Sequence, residues 1–397
     1  MLTPSELTPR EEIHSRITRL QKVLVEKEID LALILQNVDL YYFTGTIQNG
    51  QLFIPCQGQP VFFVQKDFAR AVAESPLKPL KVESLKELPK RVQEQGLSGK
   101  KVGMEFDVVP VSVFNRIGGL FGEWEFKDLS REIKQIRSVK SEFEIRQIKK
   151  AGEIVTRVFS EVKNHLQEGI SEVELDARLT SIGRALGHQF FMRMRGFNQE
   201  MMNIHVLSGK SASVTTYSDT PFGGPGLNPA IAQGSSARLI ERDQPVVIDY
   251  GAGYNGYVTD ETRTFVVGRL KDPFIKACQV ALDIIAELES SGRAGVVPAR
   301  IYERAQEIAE KAGLRPNFMG HGEGQVAFIG HGLGLEINEW PVISKGEKRP
   351  LQPGMVFAFE PKFVFPGEGA VGIECDYIVR ESGLERVTQF PKEVVTL

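Results

Sequence analysis

Apolar positions recur at helical spacing over residues 11–28, where Ile13, Ile17, Leu20 and Leu24 fall on one face. Short apolar runs follow: LALIL (31–35), QLFIPC (51–56), VFFVQ (61–65) and VGMEF (102–106), each of strand length. Helical stretches at 68–75, 85–96 and 109–118 alternate with them, which predicts an α/β unit of about 130 residues. Near residue 140 the pattern changes. Ser141 and Glu144 have capping-box spacing and open a long helix to about 166. Ser171 and Glu174 repeat the signature and open another to about 186, closed by Gly187. Strand-like, glycine-rich sequence runs on to 268. The order then recurs, with helices at about 273–290 and 298–312 and strands from 326 onward.

An offset of 126 residues aligns part of this recurrence: Gly169 with Gly295, Leu175 with Ile301, Arg178 with Arg304, Ile182 with Ile308 and Gly187 with Gly313. A helix pair followed by a sheet, twice over, is the pattern of a pseudo-symmetric domain. The expected organisation is an α/β domain over 1–135 and an α+β pseudo-symmetric domain over 140–397, with no low-complexity linker between them.

One hairpin breaks the apolar pattern. In VVIDYGAGYNGYVTDETRTF (246–265), Asp249 and Asp260 sit eleven residues apart in strand-like sequence, where aspartate is disfavoured. Asn255-Gly256 signals a two-residue type I′ turn. With the turn there, Asp249 lies opposite Thr262 and Asp260 becomes its diagonal neighbour on the same face. A bulge at Gly251 or Gly253 would shift this register. Both acids on a solvated face is the bland alternative. Against it, Val246, Val247 and Ile248 run straight into Asp249 as in a buried strand, and buried carboxylates need a partner. A cation would supply one.

Further ligand types stand downstream. His331 lies between two glycines in IGHGLGLEINEWP (329–341). Glu360 lies in MVFAFEPKFVF and Glu374 in GAVGIECDYIV, with Pro366-Gly367-Glu368-Gly369 between them as a turn. A three- or five-residue loop places the two glutamates on one face, and a four-residue loop separates them. Glu368 itself belongs to the turn and is expected to be solvated. Four acids and one imidazole suit hard or borderline divalent ions, and four carboxylates match the charge of two of them.

Composition narrows the field. The chain has 397 residues, 42% hydrophobic and 25% charged, with a net charge of −3. Nothing in that balance points to nucleic acid or an anionic membrane. No apolar run reaches the ~20 residues of a membrane span, and the polar start lacks the apolar core of a signal peptide. Cys56, Cys278 and Cys375 are too few and too scattered for a disulfide framework, which fits a reducing cytoplasm.

IDYGAGYNGYVTDETRTF, GHGLGLEINEWP, LQPGMVFAFEP and GIECDY together resemble the pita-bread metallopeptidase family, which includes methionine aminopeptidase, aminopeptidase P, prolidase and creatinase. The resemblance implies a creatinase-like N-terminal domain and a pita-bread catalytic domain. It implies that Asp249, Asp260, His331, Glu360 and Glu374 hold two divalent ions, of manganese, cobalt, zinc or iron, and that the protein forms a homodimer. It makes Glu360 a proton shuttle as well as a ligand.

The chain also departs from the family. Asn338 stands where aminopeptidase P and prolidase usually carry a histidine, and GLNPAIAQG (226–234) lacks their histidine upstream of the first metal aspartate. Gly372 replaces a usual arginine, and Cys375 an expected aspartate. His205 in IHVLSG is the first candidate for a replacement imidazole that touches substrate, beside Asn338, with His321 and His188 behind it.

The expected function is hydrolysis of a short peptide at its N-terminal bond, including X-Pro bonds, by a hydroxide held between the two ions. A lyase or non-peptide C–N hydrolase on the same scaffold, acting on a small molecule, is the alternative, and a catalytically silent binding protein is the third reading.

Overall fold

In the computed structural model, which describes residues 6–397, α1 (Arg10–Glu26) buries the predicted face of Ile13, Ile17, Leu20 and Leu24. The first residues of the polar N-terminal stretch, 1–5, lie outside the described residues. The first unit continues through β1 (Leu31–Ile34), α2 (Asn37–Thr44), β2 (Gly50–Pro55), β3 (Val61–Val64), α3 (Phe68–Glu74), β4 (Leu80–Lys81), α4 (Leu88–Glu94), β5 (Lys101–Met104), α5 (Val111–Leu120), β6 (Glu125–Asp128) and α6 (Ser130–Ser138). Its sheet has the order β4-β3-β2-β1-β5-β6. The β1-β2 and β2-β3 pairs are antiparallel, whereas β5 joins β1 in parallel. Leu31, Leu33, Phe53, Phe63, Val102 and Met104 fill the core on one side. The unit comprises residues up to Arg137 together with Arg195–Asn198, and Arg195 is bound within it by Asp39 and Asp107.

The apolar pattern does not predict α2. Its sequence NVDLYYFT is buried nearly all round, so it has no polar face to generate a helical period. Its ends are nevertheless marked: the Gln36 side chain accepts from the backbone N–H groups of Val38 and Asp39, and Gly45 closes it in the left-handed region at φ 78°.

The second unit holds the rest of the chain. Helices α7 (Glu142–His165) and α8 (Glu172–Ala185) are capped by Ser141 and Ser171 as expected, the former with a complete capping box. They cover the sheet of β7 (Ile204–Ser208), β8 (Pro245–Tyr254) and β9 (Tyr257–Val266) through Val155, Phe159, Leu175, Leu179, Val206 and Ile248. Helices α9 (Phe274–Ser291) and α10 (Pro298–Lys311) repeat the arrangement. They pack on β10 (Gly330–Gly332), β11 (Val356–Phe359), β12 (Lys362–Phe365), β13 (Gly369–Gly372) and β14 (Cys375–Val379), with Ala281, Ile285, Phe357, Phe363 and Val371 in the core.

The 126-residue offset is visible in backbone geometry. Gly169 and Gly295 have φ 84° and 86°, and Gly187 and Gly313 have 102° and 72°. These are the positive-φ corners before and after the second helix of each pair, where a side chain would be strained. Among the described residues, no helix is long and apolar enough to cross a membrane.

Candidate metal centre

The β8-β9 hairpin has the predicted register. Tyr254 pairs with Tyr257, Asp249 with Thr262 and Gly251 with Asp260, without a bulge. Asn255 and Gly256 take φ 50° and 88°, as a type I′ turn requires. On the other side of β8, His205 pairs with Asp249, so His205, Asp249 and Thr262 form one row on one face. The second hairpin has the three-residue loop that puts the glutamates together. Phe365 pairs with Gly369 within it, and Phe359 pairs with Cys375 beyond it, which sets Glu360 across from Glu374. Glu368 is exposed in the turn, as expected of an acid with no part in the site.

These elements bring Asp260, His331, Glu360 and Glu374 together. His331 Nε2 lies 3.9 Å from Asp260 Oδ2, 3.7 Å from Glu360 Oε1 and 3.8 Å from Glu374 Oε1. The imidazole nitrogen stands off each of the three carboxylates at a separation a cation between them would bridge. Glu374 Oε1 is buried and has no hydrogen-bond partner. Asp260, His331 and Glu374 each offer a ligand atom within 4.8 Å of the others. This donor set fits one divalent ion, and the orphaned oxygen is the kind of group an ion would satisfy.

A residue that the sequence pattern does not single out completes the cluster. Lys362 Nζ lies 3.0 Å from Asp249 Oδ2, 2.8 Å from Glu360 Oε2 and 2.9 Å from Glu374 Oε2. The available signal is its position two residues after Glu360, which puts both on one face of an extended strand. The expectation of two divalent ions counts four carboxylates and no internal cation. Lys362 supplies one positive charge among them.

The ionisation of the acids reflects this division. Burial would raise the Asp249 carboxyl, but the Lys362 ammonium, His205 and hydrogen bonds from Lys362 and Asp260 together outweigh it and hold the group below its ordinary range. Asp260 is pushed well above that range by burial and by the charges of Glu374 and Asp249. Burial and neighbouring carboxylates thus disfavour its charged form, a penalty that a bound cation would relieve.

Neighbouring groups fix the candidate ligands. Thr262 Oγ1 donates to Glu374 Oε2 at 2.7 Å, and the Glu374 N–H donates to the Thr262 carbonyl at 3.0 Å. Buried Arg263 donates to the carbonyls of Thr262 and Glu374 at 2.8 and 2.6 Å, tying β9 to the strand segment of Glu374 from behind. Asp376 accepts the Asp260 N–H at 2.9 Å. An acid two residues beyond Glu374 therefore stands in the site despite Cys375.

A cavity of about 290 Å³ opens over the centre, near the lower end of the usual range for small ligands. Asp249, Asp260, His331, Glu360 and Lys362 form its floor, and Asn338 lines it together with Met194, Met201, Phe328, Ile337 and Val342. His205 does not line it. It borders a chamber of about 10 Å³ behind Asp249, is 2% exposed, and its Nε2 has no hydrogen-bond partner. His205 thus stands beside Asp249 in the strand register, next to the small chamber and not in the lining of the larger cavity. His188 is structural: its Nδ1 accepts the Gly253 N–H at 2.8 Å. His321 lies off the site, with Nε2 3.0 Å from the Ser213 carbonyl.

The family model described as metallopeptidase family M24 matches residues 146–381, and that of the creatinase/prolidase N-terminal domain matches 16–139. The chain is 28% identical over 385 residues to an Xaa-Pro dipeptidase of Pyrococcus furiosus, covering 96% of this chain and 99% of that protein. Among solved structures it is similar to an X-Pro aminopeptidase from Thermotoga maritima, at 27% identity and a TM-score of 0.80, covering 96% of this chain and 99% of the other. It is also similar to an Xaa-Pro dipeptidase from Bacillus anthracis, at 26% identity and 0.83, covering 97% and 100%.

Proposed function

Because the chain belongs to metallopeptidase family M24, we propose that it is a metal-dependent dipeptidase or aminopeptidase that cleaves short peptides, X-Pro bonds among them. The observation that carries this reading is the convergence of Asp260, His331 and buried Glu374, with Asp260 and His331 lining a cavity sized for a small ligand. The named relatives are dipeptidases and an aminopeptidase, which favours peptide hydrolysis over a lyase or a non-peptide C–N hydrolase.

Asp260, His331, Glu360 and Glu374 would hold the ion. When bound, it supplies Lewis acidity to water and to the scissile carbonyl. Glu360 accepts a proton from the attacking water and delivers it to the leaving nitrogen as the C–N bond breaks. The Asn338 amide donates to the carbonyl oxygen as it gains negative charge; it can donate but cannot carry a charge of its own. The apolar wall of Met194, Phe328, Ile337 and Val342 receives the substrate side chains. His205, beside Asp249 in the strand register and outside the lining of the cavity, would act through the electrostatics of that carboxylate.

Digestion of a peptide library by protein reconstituted separately with manganese, cobalt, zinc and iron tests the reading. Release of the N-terminal residue from X-Pro peptides is expected with at least one metal. No cleavage of any short peptide with any of them would overturn it. The homodimer expected from the family resemblance is checked by light scattering at micromolar concentration.

A further inference from the structure

We infer that the Lys362 ammonium takes the place of a second metal ion, so that this centre is mononuclear, with one divalent cation and one fixed organic cation. The inference rests on the metal site proposed above but not on its substrate.

The first observation is how the glutamates divide. Glu360 and Glu374 each turn Oε1 toward His331 and Oε2 toward Lys362. Two carboxylates thus bridge two cation positions, one of them already filled. Asp249, the one acid of the set that His331 does not approach, has its Oδ2 on Lys362. A divalent ion needs oxygens at roughly 2.0–2.2 Å. Nζ lies 2.8–3.0 Å from three of the same oxygens, so an ion in their midst would occupy the space of the ammonium itself. Both also carry positive charge, so the two are mutually exclusive.

The second observation is that the lysine is built in. Its side chain is 2% exposed. Its nitrogen lies 5.1 Å from the centre of the Phe222 ring. Its backbone pairs with Gly372 across the β12-β13 hairpin, and a Cβ at Gly372 would come within 2.6 Å of Lys362 Cγ. Gly372 is the position where the family resemblance leads one to expect arginine. The chain lacks a cation on one strand, carries one directly across on the other, and has at 372 the residue that makes room for its stem.

The test is metal stoichiometry, read without any substrate. Chelator-stripped wild-type protein is equilibrated with excess Mn²⁺, dialysed, and its bound metal counted by elemental analysis, with electron paramagnetic resonance on the same sample. One Mn²⁺ per chain with an uncoupled six-line spectrum is expected. The Lys362→Gly variant, which removes ammonium and stem together, should take two and show exchange coupling. Two ions bound by the wild type overturns the inference and leaves the metallopeptidase reading intact. No ion in the wild type overturns both. A Lys362→Gly variant that folds and still binds one ion also overturns the inference. If that variant does not fold, the wild-type count decides by itself.

Discussion

Thr262 holds Glu374 twice, by a 2.7 Å hydrogen bond from its hydroxyl to Oε2 and by its carbonyl, which accepts the Glu374 N–H at 3.0 Å. The hydroxyl fixes which oxygen remains for the ion. Thr262→Val keeps the shape and removes the donor. Loss of such a supporting hydrogen bond typically lowers metal affinity about 10- to 100-fold. Competition against a chromogenic chelator should show that drop, and unchanged affinity would remove Thr262 from the centre.

Gly372→Ala should destabilise the fold, because its Cβ would overlap the Lys362 stem at 2.6 Å. Overpacking of this kind costs about 1–3 kcal/mol. Denaturant unfolding measures it. The double variant with Lys362→Ala should cost less than the sum of the two single changes, since neighbours that clash are not additive. Strict additivity would mean that the two positions do not compete for space.

Folding stability should carry a pH signature from His188. Burial lowers its pKa from 6.5 to about 4, while its Nδ1 accepts the Gly253 N–H. Between those values the unfolded chain binds a proton that the folded chain refuses. Stability is therefore complete above about pH 6.5 and falls as the pH drops toward 4, by about 3 kcal/mol over the window. His188→Asn keeps an acceptor that does not titrate. The difference in unfolding free energy between wild type and variant should shrink as the pH is lowered from 7 to 4.5. A constant difference would show that His188 titrates normally.

The two substrate-shell positions should behave differently. Asn338→His should raise X-Pro turnover, by up to about a hundredfold if the imidazole donates to the developing oxyanion. His205→Ala should lower kcat with little change in KM, because His205 neighbours Asp249 in the strand register and does not line the cavity. A rise in KM alone would return His205 to the substrate.

The legibility of the site in the sequence follows the strength of local signals. Asn255-Gly256 signals the β8-β9 turn strongly, so the relation of Asp249 to Asp260 is legible up to a bulge at Gly251 or Gly253, which the folded hairpin does not have. The Glu360–Glu374 relation depends on loop length, which a Pro-Gly-Glu turn leaves open, and only the folded hairpin selects the three-residue solution. Lys362 is hidden for another reason. A lysine after Glu-Pro at a strand start looks solvated, and only tertiary packing over Gly372 and Phe222 reveals that it is buried. His205 lies on the strand expected to line the site, but a single sequence does not say which of two adjoining spaces a side chain enters.

The proposed ligands come from both pseudo-symmetric halves: Asp260 from the first, His331 and Glu374 from the second, which in the case of Glu374 is more than a hundred residues further along the chain. Neither half alone presents the donor set. A bound ion is thus a removable staple between distant segments, and its retention reports that both halves have met in register. A nascent or damaged chain with a misplaced second hairpin would forfeit the ion. Metal content would then serve as a sorting mark between intact and misassembled copies.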